Sequence, residues 1–321
     1  MVNANVDKIV FKYCFILLLL KAIFFMKWII AGILLCCCFA ACKAQPDQSF
    51  LVQKNNNTLL WQVSGKDLKQ PSFLFGTFHL LCKEDIHFSN QLLAAVKSSN
   101  EIYMELDMDD PSTLLGGMFF MNMKDGKKLE DLYSPGEYER IQKYFNDTLH
   151  TPLMLLQKAK PYFLVALLYP RMMNCSSPAG VEEELLKLAK ENKKEIQGLE
   201  TMQFQASVFD SIPYDWQAKE LLKNIDSFSV YKKEFDDMVT LYKEQNLDSM
   251  QRMLLKSEFG SDKYDDLLLK NRNRDWIIKL KKIMAKESVF VAVGAGHLTG
   301  DDGIINLLRK EGYKVEPLVN Q

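Results

Sequence analysis

Histidine is scarce in this chain: 321 residues contain four of them. An excess of either charge is also missing. Forty Lys and Arg stand against 41 Asp and Glu, a formal net charge of -1, so there is no bulk electrostatic pull toward nucleic acid. No basic stripe with interleaved aromatics, no zinc-finger spacing and no phosphate-cradling glycine loop is present, and these absences argue against a nucleic-acid partner. There is no Gly-x-Ser-x-Gly, which removes the serine nucleophile elbow. Cysteine is thin outside the N-terminus. Five of the seven (Cys14, Cys36, Cys37, Cys38, Cys42) fall in the first 42 residues, and only Cys82 and Cys175 remain beyond. Two cysteines make no cysteine-rich metal framework. An exported compartment permits a disulfide between them, but nothing in the sequence shows that they are close.

What is present is apolar bulk, 48% hydrophobic with 11% aromatic, enough for a sizeable core. Part of it is a leader. Phe15 to Leu20 and Ile29 to Ala41 are apolar runs interrupted by Lys21 and Lys27, the pattern of an export signal. Met26-Lys27 makes a good start on its own, leaving 1–25 as upstream sequence; a genuine N-terminal membrane anchor is the other reading. Phe39-Ala40-Ala41-Cys42 has the look of a lipobox, with Cys42 the lipidated residue, and a cut after Ala44 competes with it. Either way the mature protein is exported, held to a membrane by lipid or leader or released from it. Residues 43–57 read as a polar tether, and 58–321 as one domain.

Two stretches organise that domain. Phe73-Leu74-Phe75-Gly76-Thr77-Phe78-His79 and Val291-Ala292-Val293-Gly294-Ala295-Gly296-His297 share one frame: an apolar run, a glycine, two residues, a histidine. Such runs read as buried strands ending at turns. A histidine just past a strand lies at the carboxyl edge of an open α/β sheet, where ligands bind. A lone strand-end histidine is more often packed or solvated, but a repeated frame points two imidazoles into one crevice.

Further strands are predicted at Thr58–Val63, forming a hairpin with Phe73–Phe75, and at Glu101–Asp107, Glu195–Glu200, Ser288–Val293 and Lys314–Leu318. Alternation puts Tyr103 and Glu105 on one face and Ile102 and Met104 on the other. A carboxylate ending an apolar strand is costly to bury unpaired, so Glu105 is the first acid assigned to the crevice and Glu200 the second. The plain alternative for both is a solvated edge carboxylate. Asp107, Asp109 and Asp110 read as a solvated turn. The long middle is helical: Leu153 to Leu168 reads as core, with a break or helix start at Pro161. Met118 to Met123 reads as core packing, with a substrate- or lipid-facing lid as the alternative. Ser227–Leu255 and Tyr264–Ile283 read as amphipathic helices, with Arg272 and Arg274 as face charges by residue type alone. Helix-then-strand repeats indicate an α/β (or α+β) fold on a central, mixed, mostly parallel sheet with a large helical middle segment.

In order along the chain, Leu60-Trp61-Gln62-Val63, Phe75-Gly76-Thr77-Phe78-His79, the strand ending in Glu105, Gly198-Leu199-Glu200-Thr201 with Gln205, Leu269-Lys270-Asn271-Arg272-Asn273, Val293-Gly294-Ala295-Gly296-His297-Leu298 and a final Gly312-Tyr313-Lys314-Val315 resemble the TraB/GumN family, which includes the Tiki-type metalloproteases. Each motif is weak alone; together, from residue 58 onward, they are specific. The resemblance implies a fold shared distantly with erythromycin-esterase-like and haem-binding ChaN-like proteins. It implies a divalent-metal site (Mn, Co or Zn) of His79, Glu105 and His297, with Glu200 and Arg272 in the same constellation. Glu182 stands where relatives often have Asp, and Asn271 adds an Asn beside Arg272-Asn273; neither departure is expected to touch the three ligands.

Two neutral imidazoles and a carboxylate hold such an ion with positions left for water, and the ion lowers the pKa of that water and polarises a carbonyl. Glu200 then stands as general base or supporting partner and Arg272 as oxyanion stabiliser. The expectation is an exported metal-dependent hydrolase of peptide or amide bonds in a peptide or small-molecule substrate. Its rivals are metal-free esterase-like hydrolysis with His79 as base, and a surface lipoprotein that binds haem or another ligand without catalysis.

Overall fold

In the computed structural model, residues 50–256 and 264–321 are described. The leader, with Met26, Cys42 and residues 43–49, lies outside them. Of the stretch read as a tether, residues 50–53 run against the C-terminal strand. Gln53 N–H donates to the Pro317 carbonyl (3.0 Å), Val319 N–H to Leu51 (2.8 Å), and the Phe50 ring packs on Phe73 at 4.7 Å.

The alternation Leu60-Trp61-Gln62-Val63 builds β1 (Leu60–Ser64), which folds back as an antiparallel hairpin on β2 (Ser72–Thr77), Leu60 facing Phe75. The chain continues through β3 (Leu81–Cys82), α1 (Asn90–Ser98), β4 (Glu101–Met104), α2 (Pro111–Phe120), α3 (Pro135–Lys143), α4 (Pro161–Ala166), α5 (Tyr169–Met172), β5 (Pro178–Ala179), α6 (Val181–Glu191), β6 (Ile196–Gly198), α7 (Met202–Asp210), α8 (Tyr214–Asp226), α9 (Phe228–Lys243), α10 (Leu247–Leu254), α11 (Asn271–Met284), β7 (Val289–Gly294), α12 (Ile304–Lys310) and β8 (Lys314–Pro317). The main sheet has six strands in the order β6-β4-β7-β2-β1-β8. Its β6, β4, β7 and β2 run parallel, and β1 is antiparallel to both its neighbours. The fold is thus α/β with a mixed, mostly parallel sheet, as the helix-then-strand repeats imply.

The apolar runs sit where a doubly covered sheet needs them. Val289 to Val293 are all buried on the central strand β7, and Ser72 to Thr77 on β2. On β4, Ile102 and Met104 are buried while Glu101 and Tyr103 are partly open, which is the expected alternation. Truncating a core ring such as Phe290, 0% exposed, costs about 3–5 kcal/mol. A second core lies in the helical middle, around Leu129, Phe145, Leu153, Leu168 and Phe235. Pro161 starts α4, where its missing N–H is no loss. Leu153 to Leu168 is therefore not one helix, and its Met154 and Leu155 lie at the surface. Met123 is buried in the second core and Met121 is exposed. The predicted Ser227–Leu255 helix is two, α9 and α10. Among the described residues no helix is long and apolar enough to cross a membrane.

Candidate active site at the carboxyl edge of the sheet

Parallel pairing brings four strand ends to one edge. Thr77 of β2 is registered with Gly294 of β7, Met104 of β4 with Ala292 of β7, and Met104 with Gly198 of β6. His79, His297, Glu105 and Glu200 each follow one of these strands by one to three residues. Gly76 permits the crowding. A Cβ there would lie 3.1 Å from Ala295 Cβ and 3.2 Å from its Cα, so a side chain would push the two histidine-bearing turns apart.

His297 ends a short turn, Ala295–His297, beneath α11 and is 4% exposed. Asn273 Nδ2 donates to the carbonyls of His297 (3.3 Å) and Asp302 (2.9 Å), which leaves its Oδ1 facing the ring, 2.6 Å from His297 Nδ1. Nδ1 therefore carries the proton, and Nε2 keeps its lone pair. The Trp276 ring packs at 4.5 Å. Burial, the largest influence, holds the His297 pKa down at about 3, so the ring is neutral at physiological pH.

Arg272, on the first turn of α11, is buried rather than a solvated face charge, and all five of its N–H groups have partners. Nε donates to Glu200 Oε2 (3.1 Å), and Nη2 to Glu200 Oε1 and Glu105 Oε2 (2.6 Å each). Nη1 donates to the Leu268 carbonyl (2.8 Å) and to His297 Nε2 (3.2 Å). Glu200 also accepts from Trp276 Nε1 (3.1 Å) and Gln205 Nε2 (3.1 Å). With both oxygens so engaged, Glu200 braces the guanidinium. Glu105 accepts from Gln205 Nε2 on Oε2 (3.2 Å) and from Gly294 N–H on Oε1 (3.0 Å). Burial pushes its carboxyl up, but the charges of His297, Arg272 and His79 and the Gly294 N–H outweigh that and hold it at about 2. Where His297 is neutral, Arg272 is the largest hold, followed by His79 and the Gly294 N–H.

His79 has a different setting. Its side chain is 80% exposed, and its Nδ1 lies 2.8 Å from Glu182 Oε1. That carboxylate raises the His79 pKa against partial desolvation, in a site where solvent screens the pair. Glu182 is thus in direct contact with an expected ligand, a correction to the expectation that the departure at this position stays clear of them. Glu182 Oε1 is buried and has no well-aligned hydrogen bond; the His79 ring is its close polar neighbour. The contact favours an imidazolium, so of the two imidazoles expected to be neutral only His297 is so by its surroundings.

A divalent ion suits part of this arrangement. Two donors on one tetrahedral ion at roughly 2.1 Å stand roughly 3.4 Å apart, and His297 Nε2 lies 3.7 Å from Glu105 Oε1. Three carboxylates (Glu105, Glu182, Glu200) line the edge against the Arg272 guanidinium and the His79 imidazolium, which leaves one negative charge uncompensated. The ligand atoms of His79, Glu105 and His297 are not all within 4.8 Å of one another; among the described residues the group of that kind is Cys82, Glu84 and Cys175, whose two sulfurs are joined in a disulfide and offer no thiolate. Sequence reasoning assigned no role to Asn273, Gln205, Trp276 or Glu182. Asn273 and Gln205 lie inside quoted motifs, and their positions beside Arg272 and five residues after Glu200 were the available signal.

A model of the TraB/PrgY/gumN family matches residues 59–317. The chain belongs to that family. Metalloprotease TIKI2 of Danio rerio is 21% identical over 324 residues, 82% of this chain and 61% of its own. Metalloprotease TIKI1 of Homo sapiens is 22% identical over 334 residues, covering 86% and 64%. Metalloprotease TIKI2 of Xenopus tropicalis is 23% identical over 320 residues, covering 82% and 60%. The chain thus spans less than two-thirds of the length of these relatives. No solved structure matches it, so the likeness to erythromycin-esterase and ChaN folds rests on sequence motifs. Within this TraB/PrgY/gumN member, residues 59–317 include all five expected site residues and Asn273, Gln205, Trp276 and Glu182.

Proposed function

We propose that this TraB/PrgY/gumN protein is an exported, metal-dependent hydrolase that cleaves a peptide or amide bond where β2, β4 and β7 end. The observation that carries this is the pairing of a neutral imidazole with an ionised carboxylate, His297 Nε2 and Glu105 Oε1 at 3.7 Å, on adjacent strand ends. The name metalloprotease borne by relatives supports it. The leader supports export, with a lipid on Cys42 or the uncleaved leader keeping the protein at a membrane.

His297 and Glu105 would hold the ion (Mn, Co or Zn), with His79, whose Nδ1 faces Glu182, as the third donor. When bound, the ion supplies a water of lowered pKa and polarises the scissile carbonyl. The other roles belong to the chain. Asn273 fixes the tautomer that keeps Nε2 available. The Gly294 N–H and Gln205 orient Glu105. Glu200, Trp276 and Gln205 hold Arg272 in place. The Arg272 Nη1–H now on His297 Nε2 is the group placed to hydrogen-bond a carbonyl oxygen as it gains charge.

The test is metal content by mass spectrometry on untagged protein, with peptide cleavage beside it, for wild type and the His79→Ala, Glu105→Ala and His297→Ala variants. Near-stoichiometric metal lost in the Glu105 and His297 variants, with cleavage lost in all three, is the expected result. Wild type that takes up no Mn, Co or Zn when these are supplied overturns the reading.

A further inference from the structure

His79 has a weak hold on the site, and the hold runs through a strap outside the main sheet. Two residues after His79 the chain enters β3, which pairs with β5 through Leu81–Ala179 and Cys82–Pro178. Directly after β5 comes Gly180, then Val181, then Glu182 on the first turn of α6. The strap therefore ties the loop that carries His79 to the helix start that carries its partner. A ladder of two residue pairs does not hold itself, and this one is reinforced on both sides. Val181 N–H donates to the Phe78 carbonyl (3.2 Å) and Lys83 N–H to the Ser177 carbonyl (2.9 Å). The backbones touch closely, since a Cβ on Gly180 would lie 3.0 Å from the His79 carbonyl oxygen. The covalent reinforcement is the disulfide between Cys82 and Cys175, 93 residues apart in sequence, at the end of the ladder. Beyond it, Glu182 lies against the His79 ring, its Oε1 2.8 Å from Nδ1.

We propose that Glu182, held in place by the Cys82–Cys175 disulfide, is the positioning residue for His79: with the disulfide formed the ring is kept at the rim of the crevice, and with it reduced the ring leaves Glu182. The reductant is a dithiol. One of its sulfurs attacks the protein disulfide to give a mixed disulfide. The second sulfur closes the dithiol into its own disulfide, and the two electrons and two protons end on Cys82 and Cys175 as thiols. The consequence for hydrolysis rests on the function proposed above; the geometry of the strap does not.

The experiment reads the His79 ring directly. The full-length chain, labelled with 15N at histidine, gives ring signals from His79, His87, His150 and His297. Glu182→Gln marks which one answers to Glu182. Alkylation with peptide mapping reports whether Cys82 and Cys175 are joined. The expected result is that both cysteines resist alkylation in untreated protein, and that dithiothreitol, or Cys82→Ser with Cys175→Ser, moves the His79 signal toward its place in the Glu182→Gln protein while His297 stays. Glu182→Asp, which keeps the carboxylate, is expected to retain most of the wild-type signal. Co2+ affinity is expected to fall by roughly 10- to 100-fold in Glu182→Gln, the range for groups that orient a ligand. Both cysteines free in the untreated protein overturn the proposal, and so does a His79 signal unmoved when they have been shown reduced. If the double serine variant unfolds, the dithiothreitol-treated wild type, checked by circular dichroism, decides. Oxidised protein whose His79 follows the disulfide but which binds no metal and cleaves no peptide keeps the strap and removes the hydrolase; the reverse result keeps the hydrolase and removes the strap.

Discussion

His79 and His297 hold equivalent places in the same four-residue frame, on neighbouring parallel strands offset by one residue, yet their surroundings are opposite. His297 is buried, with Asn273 on one ring nitrogen, Arg272 on the other and Trp276 against its side. His79 is open to solvent with one carboxylate beside it. Desolvation keeps the first neutral, and Glu182 favours the charged form of the second. A shared strand-glycine-histidine frame fixes where the Cα stands. What packs behind it fixes the chemistry of the ring: a helix carrying three functional side chains in one case, a short strap and a disulfide in the other. Substitutions at Arg272, at the disulfide and at Asn273 set these two halves against each other.

The largest effect is expected on the His297 half. Arg272→Ala leaves Glu105 and Glu200 facing each other in a buried site without their cation, and should cost about 3–5 kcal/mol, read from urea unfolding. Arg272→Lys should recover little of this, because an ammonium cannot fill the five-donor fork. A loss below about 1 kcal/mol, the range of an exposed pair, would show that the half is not built on this network.

Removing the disulfide acts on the other half. Cys82→Ser with Cys175→Ser should cost about 2–4 kcal/mol, chiefly by freeing a long loop in the unfolded chain. Hydrogen exchange should rise at 78–83 and 177–182 and stay slow at 294–298. Fast exchange at both places would mean that the two halves are one cooperative unit. A smaller step belongs to Asn273→Ala. It strands the His297 Nδ1–H in a buried site and should cost about 1–3 kcal/mol, with the His297 ring signals changing and those of His79 unmoved.

The main-sheet strands, the hairpin and the glycine-histidine frames were legible in the sequence, because apolar runs closed by glycine carry both burial and a stop in one short window. Glu105 and Glu200 were legible for a related reason, as acids at the ends of apolar strands. The buried state of Arg272 was not. An arginine in a charged helical stretch looks solvated until its partners are known, and Glu200 lies 72 residues away. β3 and β5 have two residues each, too few to show a period, and the contact of Glu182 with His79 depends on that invisible ladder. The Cys82–Cys175 pairing likewise depends on closeness that no local pattern encodes.

The last and smallest expected effect lies behind the His297 half, in the helical middle. Lys160 is buried, its Nζ donating to the carbonyls of Phe120 (2.8 Å) and Ala206 (3.0 Å) and pairing with Asp210 Oδ1 at 2.8 Å. Tyr214 donates to the same carboxylate at 2.6 Å, and Lys124 lies 3.2 Å from its other oxygen. Burial raises the Asp210 pKa, but these three contacts together bring it below its ordinary value. A depressed carboxylate adds stability that is fully present above its unfolded pKa, near 4, and lost as pH falls through the folded value. Asp210→Asn should therefore flatten the decline of stability below about pH 4 and leave its slope near neutrality unchanged. The pair also reaches the site, since α7 carries Gln205, whose amide bonds both Glu105 and Glu200. If the acid limb flattens and the His297 ring signals hold, Lys160 and Asp210 stabilise the middle segment alone; if His297 moves with them, α7 is the brace through which the helical middle supports the buried half of the site.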